Sequence, residues 1–379
     1  MKVQLYQFRD SEFLPLNNKR PSEKKIEPNL VLVFGQTEAL LNENLLTDLN
    51  HQFPNAIAAI CSTAGEILDT KVEDSIAITA IEFEKTPIKA NQVNIKDFDN
   101  SREAGKALAG LFESKDLSYV LILSDGFFVN GSDLVLGLND VFGNKIKITG
   151  GLAGDADKFL NTKVGLNAAP SDGNIIAIGF YGTALTVGHG SDGGWDVFGP
   201  AKIITKSNGN ILHEINHKNA YDLYVDYLGK YSDDLPGSAL LFPLALQVEN
   251  SDVPLVRTIL SVDKVNKTMT FAGDMPENTP VRFMTANFDN LIDAAGKAAK
   301  FAQINLAKPV EFALLISCVG RRIVLEKRIE EELEVVSSVF KNEVPISGFY
   351  SYGELSPLQG ESECRLHNQT MTITTFSEL

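Results

Sequence analysis

Three short segments carry the residue types that chemistry would need. They are Cys61-Ser62-Thr63-Ala64-Gly65-Glu66, Gly150-Gly151-Leu152-Ala153-Gly154-Asp155 and Gly348-Phe349-Tyr350-Ser351-Tyr352-Gly353-Glu354. Each is small and glycine-rich and closes on an acid. A carboxylate there suits an ammonium group, and small residues let a ligand approach the backbone at the end of a strand. The same pattern also serves pure structure, since glycine supplies positive φ and an acid caps a turn. The third segment adds Tyr350 and Tyr352, apolar walls with hydroxyl handles.

Other constellations are weaker. Cys61 ends a strand beside Ser62 and Thr63, where a thiolate nucleophile would need a base that the sequence does not identify. His213 and His217 stand four apart. Gly209–Glu214 reads as a strand entering a polar turn, and such a spacing on a strand separates side chains by ~13 Å, too far to share a metal ion. Cys364 and His367 are three apart and face opposite sides of a strand. No metal ligand set is expected. Neither a P-loop nor a Gly-x-Ser-x-Gly elbow is present, and Gly-x-Gly-x-x-Gly has no strand–turn–helix setting.

The elements that must position these segments repeat. Leu30–Phe34 is a continuous apolar run ending at Gly35. Thr37 is placed to cap a helix carrying Leu41, Leu45, Leu49 and Phe53, and Ala56–Ile60 is the next strand. Tyr119–Ser124, a helix with Leu134, Leu138, Val141 and Phe142, and Ile146–Thr149 follow the same order. So do Phe312–Ile316, a helix with Leu325, Ile329, Leu333, Val336 and Phe340, and Pro345–Ser347. The intervals Gly35 to Gly65, Gly126 to Gly154 and Gly320 to Gly353 are 30, 28 and 33 residues. This is an internal repeat of a β–α–β–glycine–acid unit, too irregular for a solenoid. Unbroken hydrophobicity marks strands buried on both faces.

Between the second and third copies the pattern changes. Asn174–Phe180 and Ala184–Gly188 read as a hairpin around Tyr181-Gly182. Leu255–Val262, Thr268–Gly273 and Val281–Met284 read as short strands, with helices near Asn219–Leu228 and Asn290–Gln303. Asn17–Asn29 is a polar lead-in loop, and Val3–Phe8 a strand that joins the sheet. The expected class is α/β: two domains with mixed β-sheets flanked by helices and internal β-α-β units. The divisions are 1–29 lead-in, 30–217 and 218–379.

The chain has 379 residues and a net charge of -15. That length exceeds one ordinary core, and that charge repels phosphate backbones, which argues against nucleic acid as the ligand. The first residues lack an apolar signal region, and no apolar run reaches the ~20 residues of a membrane span. Three scattered cysteines give no disulfide framework. The expectation is a soluble cytoplasmic protein with no membrane insertion.

In this order the three glycine–acid segments resemble the FIST family, with its N-terminal and C-terminal FIST domains. Further matching stretches are His189-Gly190, Trp195, Gly199-Pro200, Val197–Asn219, Leu255-Val256-Arg257-Thr258, Phe271-Ala272-Gly273-Asp274 and His367-Asn368-Gln369-Thr370. The resemblance runs from about residue 30 to the end, so no output domain is expected. It implies a sensory module, not an enzyme, that binds a small polar metabolite such as an amino acid. It would signal through a separate protein such as a histidine kinase, a chemotaxis receptor or a cyclic-dinucleotide enzyme. In that picture Glu66, Asp155 and Glu354 receive an amine, while Arg257 and the amides of Gly150, Gly151 and Gly348 receive a carboxylate. Trp195, Tyr352, Asn368 and Thr370 line or orient the ligand, beside Cys61, Ser62, Gly65 and Tyr350 of the loops. Ile60 departs from the glycine expected before Cys61, which narrows any pocket there. Two alternatives stay open. One is a haem-based nitric-oxide sensor with His189, His213, His217, His367 or a tyrosine as axial ligand; the other is an enzyme using Cys61.

Overall fold

The computed structural model describes residues 1–379 other than 17, 18, 20–25, 74, 157, 236, 248–253, 305, 307 and 359. Most of the expected lead-in loop therefore lies outside the described residues.

The three repeats are three structural units. In unit I the strands Leu30–Gly35 and Ile57–Ser62 run parallel; in unit II, Leu117–Ser124 and Lys147–Leu152; in unit III, Phe312–Cys318 and Ile346–Ser351. Helices make each crossover, which a parallel pair requires. Alternation explains why these strands are apolar throughout. Leu30, Leu32 and Phe34, with Tyr119, Leu121 and Leu123 and with Phe312, Leu314 and Ile316, meet in one central core. The intervening Val31 and Val33 face unit I's helices, and Val120, Ile122, Ala313 and Leu315 face those of units II and III.

After its second strand each unit leaves its own sheet. Glu66–Leu68 pairs with unit III, Val164–Leu166 with unit I, and Gly353–Pro357 with unit II. The chain then returns antiparallel to its first strand, as Ile76–Glu82, Asn174–Tyr181 and Met371–Glu378. A last strand crosses once more. Ile88–Asn94 joins the sheet of unit II and Leu185–Asp192 that of unit III, while the N-terminal Lys2–Arg9 joins that of unit I. The chain's first strand thus fills the place a closing strand of unit III would take. The result is a cyclic arrangement of three six-stranded sheets, each of which borrows at least one strand from a neighbouring unit.

Between units II and III lies an eight-stranded sheet built from strands within residues 196–285, with the helix Ala220–Leu228 on it. Its own core contains Ile204, Tyr224, Phe271 and Phe283.

Several local expectations are corrected. Asn174–Tyr181 and Leu185–Asp192 are not a hairpin. The first is already paired on both sides, by Leu117–Ser124 and Ile88–Asn94, so the chain turns at Gly182 and enters another sheet. Thr37 does not cap its helix; the hydroxyl donates to the Asn161 carbonyl at 3.0 Å. That helix stops at Leu40, leaving Leu41 exposed, and resumes as Leu45–Gln52. The helix of unit III is likewise broken, into Val319–Leu325 and Ile329–Val339. The expected strand Leu255–Val262 splits at Thr258 into Leu255–Arg257 and Ile259–Asp263.

Candidate functional site

The glycine–acid loops meet around the central core, but their acids turn inward. Glu66 is fully buried and accepts the Thr63 hydroxyl. Glu354 is equally buried and accepts the Ser351 hydroxyl at 2.6 Å, the Thr370 hydroxyl at 2.9 Å and the Thr370 amide at 3.3 Å. A hydroxyl three residues before the glutamate is thus the same device in units I and III. Burial pushes the Glu354 carboxyl up to about 8, against the lowering effect of those hydrogen bonds. Asp155 binds its own loop, accepting the Leu160 and Asn161 amides at 3.0 and 2.7 Å and the Tyr352 hydroxyl. The three acids hold loops together in place of receiving an ammonium group.

The glycine amides are corrected for a similar reason. Gly150 and Gly151 lie between the strands Leu117–Ser124 and Gly353–Pro357, and Gly348 between Phe312–Cys318 and Glu66–Leu68, so ladders flank them on both sides. A Cβ on Gly150 would sit 2.0 Å from the Ile122 carbonyl oxygen, and one on Gly348 1.7 Å from that of Leu315. These glycines let neighbouring strands approach. Gly65, at φ +133°, is covered by Arg322, which donates to the Ala64 carbonyl.

Cys61 is fully buried, its thiol donating to the Ser62 carbonyl at 3.3 Å. Burial, then the charge of Asp125, raises its pKa well above the ordinary thiol value. That is the opposite of an activated nucleophile. The Ser62 hydroxyl accepts the Lys163 amide at 2.8 Å.

Trp195 donates its indole N–H to the Gln369 carbonyl at 2.9 Å and packs against Val256, Met284 and Leu291. It ties the start of the eight-stranded insert to the turn between the last two strands, Cys364–His367 and Met371–Glu378, which lie in different sheets. Gln369, at φ +61°, and Asn368 are fully buried. Asn368 has no side-chain hydrogen-bond partner among the described residues. The histidines are dispersed. His367 meets the Ser356 carbonyl at 2.9 Å, and burial pushes both it and His189 down to about 4. His213 lies on the strand Ile211–Ile215 and His217 in the turn that follows it, at φ +59°.

Tyr350 led to a group the sequence reading missed. Its hydroxyl donates to Glu332 at 2.9 Å, and Glu332 is paired with Arg321 at 2.8 Å, both wholly buried. Arg321 also donates to the Gly193 and Leu291 carbonyls, each at 2.7 Å. The signal was present: Glu332 sits beside Leu333 on the apolar face of its helix.

Arg257 stands on a cleft. The cleft has a volume of about 650 Å³ and lies between the insert and the core, bounded by Arg257, Asp274 and Leu246 on one side and Ser132, Asn139 and Arg365 on the other. The guanidinium is 4% exposed and donates to the carbonyls of Asp274 at 3.2 Å, Val256 at 3.2 Å and Leu366 at 3.1 Å. No carboxylate lies within ion-pair distance of it among the described residues, and burial lowers its pKa to about 10. Asn130 bridges to the Asp274 carboxylate at 3.2 Å, and the Ser132 hydroxyl accepts the Asp274 amide at 3.3 Å. This seam joins insert to core at the cleft's inner end. Among the described residues no three His, Cys, Asp or Glu side chains cluster as metal ligands, and no helix is long and apolar enough to cross a membrane.

The chain matches two family models, the FIST N domain over residues 29–218 and the FIST C domain over 220–357. No curated protein matches it. Among solved structures it is similar to cyanuric acid hydrolase from A. caulinodans, at 9% identity and a TM-score of 0.33 over 93% of this chain and 90% of that one. A second cyanuric acid hydrolase structure gives 10% identity and a TM-score of 0.30 over 99% of each chain. At that similarity neither speaks to the activity of this chain. The two family matches together span nearly the whole sequence, and the chain belongs to the FIST family, whose domains serve sensory signal transduction.

Proposed function

We propose that this sensory chain takes a small zwitterion of the amino-acid class in the cleft between insert and core. The observation that carries the reading is Arg257, a buried guanidinium on the cleft wall whose partners are carbonyls alone. Its remaining Nη2 donors suit a carboxylate, the strongest partner such a fork has. The half-buried Asp274 carboxylate beside it suits the ammonium group. The walls belong to two separately built parts of the molecule, so a ligand that grips both favours one arrangement of them. A separate signalling protein, of the histidine kinase, chemotaxis receptor or cyclic-dinucleotide enzyme kind, reads that arrangement.

Calorimetric titration with the L-amino acids, and with the matching amines and carboxylic acids, tests this. An amino acid should bind and its one-group analogues should not. Arg257→Lys, which keeps the charge and loses the fork, should weaken binding about ten- to a hundredfold, the range of a charge-assisted hydrogen bond. Unchanged affinity in that variant, or no binding by any amino acid, would refute the reading.

A further inference from the structure

On the far side of the Asn130–Asp274 seam lies a second cleft, of about 480 Å³, between the unit II loops and the insert. We infer that it is a binding site for a neutral, planar heteroaromatic ring. It shares neither Arg257 nor Asp274 with the first cleft, so the inference stands apart from the amino-acid reading.

Its walls are aromatic. Phe159 stacks on Tyr352 with centroids 4.3 Å apart and planes at 16°. Phe127 and Phe128, which line the same space, make an edge-to-face pair at 5.1 Å. Phe271 and Leu152 also line the space. The Phe127–Phe128 pair is 50% and 48% exposed, an unusual price for two rings adjacent in sequence. Their backbone is nevertheless fixed: Asp125 accepts the Phe127 and Phe128 amides at 2.8 and 2.6 Å with one oxygen and the Gly173 amide at 3.0 Å with the other. A buried acid thus fixes the backbone that carries the two exposed rings, which suit a flat partner that stacks or meets them edge-on.

Charge decides the ligand class. In a chain with a net charge of -15, no residue lining this cleft is charged. Its polar side chains are neutral: the Ser261 and Thr270 hydroxyls, the Asn210 carboxamide, whose amino group donates to the Phe271 carbonyl at 2.8 Å, and Asn130 and Tyr352, which donate to Asp274 and Asp155. The Lys96 ammonium, 5.6 Å from the Phe128 ring centroid, is already paired with Asp172 at 2.7 Å, so an ionised ligand would lose its hydration there without an uncommitted counter-charge on the cleft wall. A neutral ring with an N–H or carbonyl edge loses little and gains the stacking.

Ligand-observed NMR with calorimetry tests this on the full chain, using indole as the neutral planar probe, benzoate as the charged one and cyclohexanol as the non-planar one. Indole should bind at least tenfold more tightly than either of the others. Phe128→Ser should weaken indole at least tenfold, while Arg257→Lys leaves it unchanged. Should Phe128→Ser melt early, Phe127→Ser on the other exposed ring takes its place. Benzoate binding as well as indole, indole indifferent to the serine variants, or no indole binding at all would each overturn the assignment. Arg257→Lys losing amino acid but not indole separates the two clefts, so one can fail without the other.

Discussion

Replacing Glu354 by glutamine should change how stability depends on pH. In the folded chain this carboxyl is pushed up to about 8, chiefly by burial, from an ordinary value of 4.5. Between those values the native state keeps a proton that the unfolded state has released. Stability therefore falls as pH rises, by up to about 1.4 kcal/mol per pH unit, and levels off above the folded value. From pH 5.5 to 7.5 the loss is at most about 2.7 kcal/mol. With an unfolding entropy of about 0.8 kcal/mol per degree for a chain this long, that is about 3 °C in Tm. Glutamine cannot titrate; its one carbonyl oxygen can keep the place that accepts the Thr370 amide and hydroxyl, while its NH2 takes the place facing the Ser351 hydroxyl, which accepts as well as donates. His189 and His367, both held near 4, add a slope of opposite sign below their unfolded value, and this cancels between the two proteins. Thermal melts of both at pH 5.5, 6.5 and 7.5 should show Glu354→Gln gaining on the parent by about 3 °C across the series. Parallel curves would show that burial does not hold the proton on Glu354 and would refute the argument.

Two further outcomes follow from the packing. Arg321→Met strands Glu332 and the Gly193 and Leu291 carbonyls in a fully buried place. It should cost about 3–5 kcal/mol, or about 4–6 °C in Tm, and Arg321→Met with Glu332→Leu should recover more than half of that. Gly348→Ala drives a methyl into the Leu315 carbonyl at 1.7 Å and should cost about 3 kcal/mol in a denaturation series. Gly110→Ala, at a helix end with nothing within 4 Å, should be neutral or slightly stabilising in the same assay.

The repeat was legible because it is local. Strand, crossover helix, strand and glycine–acid turn lie within about thirty residues, and their continuous apolar runs report burial on both faces wherever the partner comes from. Arg257 was picked out only through the family resemblance, as a residue to receive a carboxylate. The roles of Glu66, Asp155 and Glu354 were not, because an acid after a glycine looks the same whether it faces a ligand or its own loop. Only the positions of Thr63, Tyr352 and Ser351 around them settle the direction. Cys61 was ambiguous for the same reason: its reactivity depends on solvent access, which a strand sequence does not report.

By itself the sequence determined three β–α–β units, an α/β class and a family, since periodicity, turn chemistry and motif order are properties of neighbouring residues. The tertiary structure decided which strands pair. Glu66–Leu68 lies beside Ile346–Ser351, and the first strand of the chain closes a ring begun by the last unit. The first pairing spans about 280 residues and the second about 70 to 80, and a strand's hydrogen-bonding edge carries no label for its neighbour. The two clefts arise from the same long-range assembly. Arg257 and Ser132, or Phe128 and Thr270, face one another only because the insert packs back against unit II.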